Sequence, residues 1–331
     1  ALGTNALAAN TTAGVNTAVG HNSLDANTTG TRNTASGAFT LSGNTTASDN
    51  TAFGYQVLEA NTTGANNTAV GTYALDANTT ASNNTAVGVH SLGVNTTGTS
   101  NTAVGKGSLL SNTTASNNVA VGLSTLQANT TGAQNVAIGA SALYTNTSGA
   151  NGTALGHQAL ASNSTGANNT AIGFEAGYSS TTATGNVALG YKAMYSGTDG
   201  SYNVAIGYQS MDSLSTGSDF NVGVGASSLG ANTTGDSNTA VGTNALSQNT
   251  TASNNTAVGY NSLFANTTGT FNVAVGSTAG LALTTGVQNT LIGSLAGDAL
   301  TDADFNVAMG YSALGSDTLG SNSTAIGWSA L

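Results

Sequence analysis

Residues Asn255 to Phe271 read NTAVGYNSLFANTTGTF. The stretch holds no proline, no cysteine and no charged side chain. Its Gly259 stands seventeen residues after Gly242 and seventeen before Gly276. The same phrase recurs along the whole chain, marked by glycines at 3, 20, 37, 54, 71, 88, 105, 122, 139, 156, 173, 190, 207, 225, 242, 259, 276, 293, 310 and 327. Every interval is 17 except the step from Gly207 to Gly225, which is 18. A fixed period of this length means stacked repeats, and it governs any local reading.

Columns counted from the marker glycine show what is fixed. Two before it is Ala in 18 of 20 phrases, and four before it is Asn in 17 of 19. Three before it stands Thr or Val, and one before it is nearly always Val, Ile, Leu, Met or Phe. Four after it is Leu or Met in 17 of 20. Eight after it is a hydroxyl in all 19 complete phrases.

Around Asn203-Val204-Ala205-Ile206-Gly207, branched residues alternate with small or polar ones. That is period two, a strand signal, and no apolar stripe at i, i+3, i+4 and i+7 competes with it. One phrase therefore predicts one coil: a strand, a bend at glycine, a short second strand ending near the Leu column, and an Asn-Thr-Thr-Gly turn. Coils that keep each residue type in register stack into an all-β, parallel β-solenoid of about 20 coils, with residues 1–331 as a single repetitive domain.

The Val/Ile and Leu columns, Val258 and Leu263 in the opening phrase, are expected to fill the coil. Asn238, Asn255 and Asn272 are expected to form a structural ladder, each side-chain amide bonding the one above. The Ala column, with Ala205, Ala240, Ala257 and Ala274, falls on the opposite strand face. It predicts a smooth self-association strip, closed by cyclic symmetry. In three phrases the Leu column is Gly177, Gly280 or Gly297, and two of these regain a leucine three places later, Leu283 and Leu300. A core leucine is re-supplied from the other side of the turn.

Composition narrows the function classes. Charged residues make up 5 % of the chain, against roughly 25 % in ordinary soluble domains. Three basic and 13 acidic residues give a net charge of −10, which argues against nucleic acid and against an anionic membrane surface. No cysteine is present, and no apolar run is long enough for a membrane span within this segment. Both end phrases are incomplete, which reads as an excerpt of a longer repetitive protein.

No P-loop, HExxH, nucleophile elbow or calcium nonapeptide occurs, and His21, His90 and His157 stand several coils apart. Neither an enzyme nor a cofactor or metal site is expected. The column after the marker glycine is the most varied surface. Phe174, Tyr191, Tyr208, Tyr260, Tyr311 and Trp328 form a candidate aromatic contact ladder, for sugars, partner surfaces or intersubunit packing. The regular Thr pairs offer a grid that could order water as in ice-binding solenoids, or bond their own backbone.

Asn203-Val204-Ala205-Ile206-Gly207-x-x-Ser210, Asn135-Val136-Ala137-Ile138-Gly139-x-x-Ala142 and Ser323-Thr324-Ala325-Ile326-Gly327-Trp328-Ser329-Ala330 resemble the head repeats of YadA-like trimeric autotransporter adhesins. The resemblance runs through the strand half of every phrase. It implies a left-handed β-roll, three chains side by side, and an extracellular fibre head that binds a host surface, matrix protein or glycan. The phrases here are longer and more uniform than that family's, with an Asn-Thr-Thr-Gly turn in place of a shorter link. Similar repeats occur in phage tail fibres, so a virion appendage is the alternative carrier to a cell surface.

Overall fold

The computed structural model describes all residues from Ala1 to Leu331. It contains strands, turns and bends but no helix. Two units divide the chain, Ala1–Asn168 and Asn169–Leu331. The first holds nine three-residue strands, from β1 (Thr17–Val19) to β9 (Thr153–Leu155). The second holds ten, from β10 (Thr170–Ile172) to β19 (Thr324–Ile326). Within each unit consecutive strands pair in parallel, in register, one repeat apart, as in Thr239↔Thr256, Ala240↔Ala257 and Val241↔Val258. Each unit is a β-solenoid with the 17-residue period read from the sequence. The strands number 19 rather than 20, because the first phrase contributes only a bridge from Leu2 to Val19.

One strand per coil is formed, not two. The Leu column lies in a turn and adopts the left-handed backbone region: φ is 52° at Leu24, 50° at Leu75 and 49° at Leu263. The same region recurs two and twelve residues after the marker glycine, as at Asn261 (φ 52°) and Phe271 (φ 59°). Side chains branched at Cβ are penalised there. Outside glycine, Val15 and Thr278 are the only branched residues among all the positive-φ positions. The turn's core hydrophobe is therefore Leu or Met and never Val or Ile. Where it is absent, glycine takes its place with φ of 61°, 62° and 56° at Gly177, Gly280 and Gly297. The marker glycine is more demanding still. At Gly259 φ is 135°, and an added Cβ would come within 2.6 Å of the Gly276 carbonyl carbon on the next coil.

The strand faces are the reverse of those expected from the sequence. Ala205, Ala240, Ala257 and Ala274 are fully buried, so the Ala column lines the interior and is not a self-association strip. The Thr/Val and Val/Ile columns on either side of it point outward, giving an exposed–buried–exposed pattern in β1, β4 (Thr68–Val70) and β8 (Val136–Ile138). The physical reason is space. Leucine enters from the turn, as Leu24, Leu41 and Leu58 do with no exposure, and leaves room opposite for no more than a methyl group.

The exceptions obey the same limit. Leu291 replaces the core alanine, and the leucines that would oppose it on two coils are Gly280 and Gly297. A Cβ on Gly280 would lie 2.9 Å from Leu291 Cδ1, and one on Gly297 2.8 Å from Leu291 Cδ2. Leu283 and Leu300, fully buried, complete that repacked layer, as the covariation in the sequence implied. Tyr178 does not fill the Gly177 gap; it is half-exposed and stacks on Tyr195.

Overpacking such a site is costly. Ala257→Leu is expected to destabilise the surrounding coils by about 1–3 kcal/mol. The outward Val258→Thr on the same strand should change them by less than about 0.5 kcal/mol. Hydrogen exchange at the backbone amides of the strands next to residues 256–258 distinguishes the two outcomes.

Candidate functional surfaces

The interior is closed by asparagine. The backbone N–H of Asn255 donates to Asn238 Oδ1 (3.0 Å), and that of Asn272 to Asn255 Oδ1 (2.9 Å). Asn255 Nδ2 donates to the carbonyl of Gly269 (2.8 Å). The expected ladder at Asn238, Asn255 and Asn272 therefore exists, but its main rungs run from side-chain oxygen to backbone N–H rather than amide to amide. The direct amide ladder is the other Asn column, where Asn249 Nδ2 reaches Asn232 Oδ1 (2.8 Å) and Asn266 Nδ2 reaches Asn249 Oδ1 (3.0 Å). Asn266 Nδ2 also donates to Gly269 O, at 3.0 Å. One carbonyl thus joins both sides of the coil.

The ladder tolerates edits where another hydroxyl arrives. In the 18-residue coil the extra residue is accommodated at Gly217 (φ 75°), and Ser218 takes over the clamp carbonyl from Asn203 Nδ2 at 2.7 Å. Asn232 Nδ2, with Leu214 in place of an asparagine in the coil before it, donates to Ser218 Oγ (3.0 Å). At Asn266 the ladder stops at Leu283, and the buried Asn266 Oδ1 has no partner.

Threonines eight residues after the marker glycine are also committed. Thr28 Oγ1 donates to Thr45 O at 3.0 Å, and Thr62 Oγ1 to Thr79 O at 3.0 Å. These hydroxyls bond the backbone of the next coil, so the water-ordering grid considered from the sequence loses this row.

Two kinds of surface remain open. The first is the outward sheet face. Val19, Val70, Val87, Ile138 and Leu155 in the first unit, and Leu189, Val241, Val275 and Met309 in the second, are each between 36 and 44 % exposed. They form apolar rows beside the equally outward Thr/Val column, with no charged side chain in either column.

The second surface is aromatic. Phe174, Tyr191 and Tyr208 stack as expected, with ring centroids 5.5 and 5.3 Å apart and planes within 10°. Tyr311 stacks on Trp328 at 6.5 Å. Tyr260 is exposed, with Thr243 and Ser277 in its column on the adjacent coils. Stacked rings cover each other's faces and offer water their edges. A longer series escaped the sequence reading because it zigzags between two columns: His21, Phe39, Tyr55, Tyr73 and His90. Its centroids are 5.3, 6.1, 5.7 and 4.9 Å apart, and the first three pairs meet edge to face. Scoring the first and second columns after the glycine together would have found it.

Charges are few, and two ion pairs join adjacent coils. Arg32 holds Asp49 with two hydrogen bonds, 2.6 and 2.7 Å. Lys192 pairs with Glu175 at 3.3 Å and lies 4.7 Å from the Tyr195 ring centre. No group of three or more His, Asp or Glu side chains is placed to hold a metal ion. Burial pushes the carboxyls of Asp76, Asp212 and Asp298 above the ordinary range, and the Glu59 charge adds to this at Asp76. Comparison with protein-family models and with curated proteins finds no match.

Two measurements test these groups. Asn78→Ala removes donations to Asn61 Oδ1 (2.8 Å) and Ala81 O (3.0 Å) and strands one of the two Nδ2 hydrogens of Asn95, the other staying on Gly98 O. Each stranded buried group costs about 1–3 kcal/mol, read as lost amide protection in the flanking coils. Asp76 binds its proton more tightly folded than unfolded, so its linkage makes stability fall as pH rises through the folded pKa. Asp76→Asn should raise the denaturation midpoint at neutral pH and flatten this part of the pH profile just above the ordinary carboxylate range.

Proposed function

We propose that this chain is a non-enzymatic structural segment of an extracellular fibre, an adhesin-like head of the YadA type. It associates with copies of itself through the outward sheet face and meets a host surface, matrix protein or glycan through its variable columns. The observation that carries the reading is the pair of uncharged, mostly β-branched rows that face outward on every strand, half-buried to exposed. Single exposed hydrophobes need no explanation, but contiguous rows of them mark an interaction surface. A second copy suits these rows because it repeats at the same spacing and adds no charge to them, although each chain carries −10 overall. A closed homotrimer is the assembly the resemblance implies. The aromatic series lie away from these rows in sequence, one, two and five residues after the marker glycine, and stay available for contact.

Sedimentation of the folded protein is expected to give a trimer, and Val70→Lys with Val87→Lys to give monomers with unchanged circular dichroism. A wild-type particle of 32.0 kDa overturns the proposal. The shaft of a phage tail fibre would use the same coil and the same face. The complete gene product separates the two carriers: a coiled coil with a membrane barrel belongs to the adhesin, a receptor-binding tip to the tail fibre.

A further inference from the structure

The repeat writes Asn-x-Thr/Ser, the acceptor pattern for asparagine-linked sugar, in two columns that the fold treats oppositely. One is the amide ladder. Nine asparagines in the first unit, at every seventeenth residue from Asn27 to Asn163, and Asn232, Asn249 and Asn266 in the second, carry the pattern and are at most 2 % exposed. Both Nδ2 hydrogens are in use on most of these rungs. Asn27 Nδ2 donates to Asn10 Oδ1 and to Gly30 O, each at 3.0 Å, and Asn129 Nδ2 to Asn112 Oδ1 (3.0 Å) and Gly132 O (2.9 Å).

The other column stands twelve residues after the marker glycine, just ahead of the strand. Asn66, Asn83, Asn151, Asn168, Asn254 and Asn322 carry the pattern and are exposed. All six have a left-handed backbone, with φ between 58° and 64°. Asn66 and Asn83 have their side chains on the outer edge of adjacent coils, each followed by a buried Asn and an outward Thr.

Transfer of a sugar replaces one Nδ2 hydrogen with the anomeric carbon of an activated, phosphate-linked donor. The proton and the phosphate-bearing leaving group depart. On a ladder asparagine the remaining N–H can satisfy only one of its two acceptors, and the sugar needs volume between coils spaced about 4.8 Å apart. A single modified rung therefore prevents its coil from stacking. We infer that this chain completes its folding without meeting asparagine-linked glycosyl transfer, and that once folded it accepts such sugar only on the open column. The inference concerns the route by which the protein is made and is independent of the fibre reading.

The test needs a variant that disarms the sealed column without touching the ladder. The third residue of each sealed pattern, such as Thr29, Thr63 or Thr268, is exposed, so these twelve Thr or Ser→Ala changes, with Thr12→Ala for the half-buried Asn10 that heads the same column, leave every asparagine in place. Wild type and variant, both first shown to fold when made in a bacterial cytosol, are then directed into a glycosylating secretory lumen. The wild type is expected to emerge sugar-modified at ladder positions and open to a broad-specificity protease. The variant should be protease-resistant, with sugar on the open column alone. A protease-resistant wild type from the lumen overturns the inference, as does a variant that fails to fold there. In a second arm, folded wild type from the cytosol is treated with a purified asparagine glycosyltransferase and its donor. Sugar mapped only to residues such as Asn66 and Asn83 supports the inference; sugar on Asn27-type positions, or none on the open column, refutes it.

Discussion

Everything in this structure rests on a backbone carbonyl held from two sides. Gly269 O accepts one amide from Asn255, at the strand start, and one from Asn266, at the turn. That bifurcated acceptor ties the two ends of the coil together without a second strand. It also sets the register, because the Oδ1 of Asn255 then receives the N–H of the next coil's Asn272. Buried amides of this kind stabilise when every group is satisfied and penalise any slip in register when they are not. The cross-section is small, so this polar scaffold carries a specificity that a larger hydrophobic core would otherwise supply.

The second constraint is the backbone of the turn. Three left-handed residues per coil in most phrases, with the marker glycine in a region no other residue occupies easily, bring the chain back under its own strand. Residue choice follows that path closely. Side chains branched at Cβ are nearly absent from the left-handed positions and suit the extended strand instead, and leucine or methionine, neither branched at Cβ, enters the core from the turn. Leu291, Gly280 and Gly297 show the rule from its exception: when the large residue moves to the strand, the turn gives up its own.

The interior and exterior divide the work. Inside, Asn, Ala and Leu recur with little freedom, because each touches its own copy on the coils before and after. Outside, one set of columns is kept apolar and uncharged, while others vary between Tyr, Phe, His, Asp and Lys. These outward columns can therefore change without disturbing the fold. Conformational preferences explain even the exposed positions: the open asparagines occupy left-handed sites that Asn tolerates well.

The 17-residue period, the strand before each glycine, the parallel register, the two asparagine columns and the Leu-for-Gly exchange were legible in the sequence by itself. Each follows from local chemistry repeated at fixed spacing. The Phe174–Tyr191–Tyr208 stack was legible for the same reason, and the His21-to-His90 series was not, because its rings come from two neighbouring columns that the coils bring into one line. Only the tertiary structure decided which strand face is inside. Period-two alternation separates Ala257 from Thr256 and Val258 but is symmetric between the faces. The choice is made by the leucine that the left-handed turn delivers across the coil: once Leu263 fills the narrow interior, a methyl group is all that fits opposite, and the valines are left to face outward.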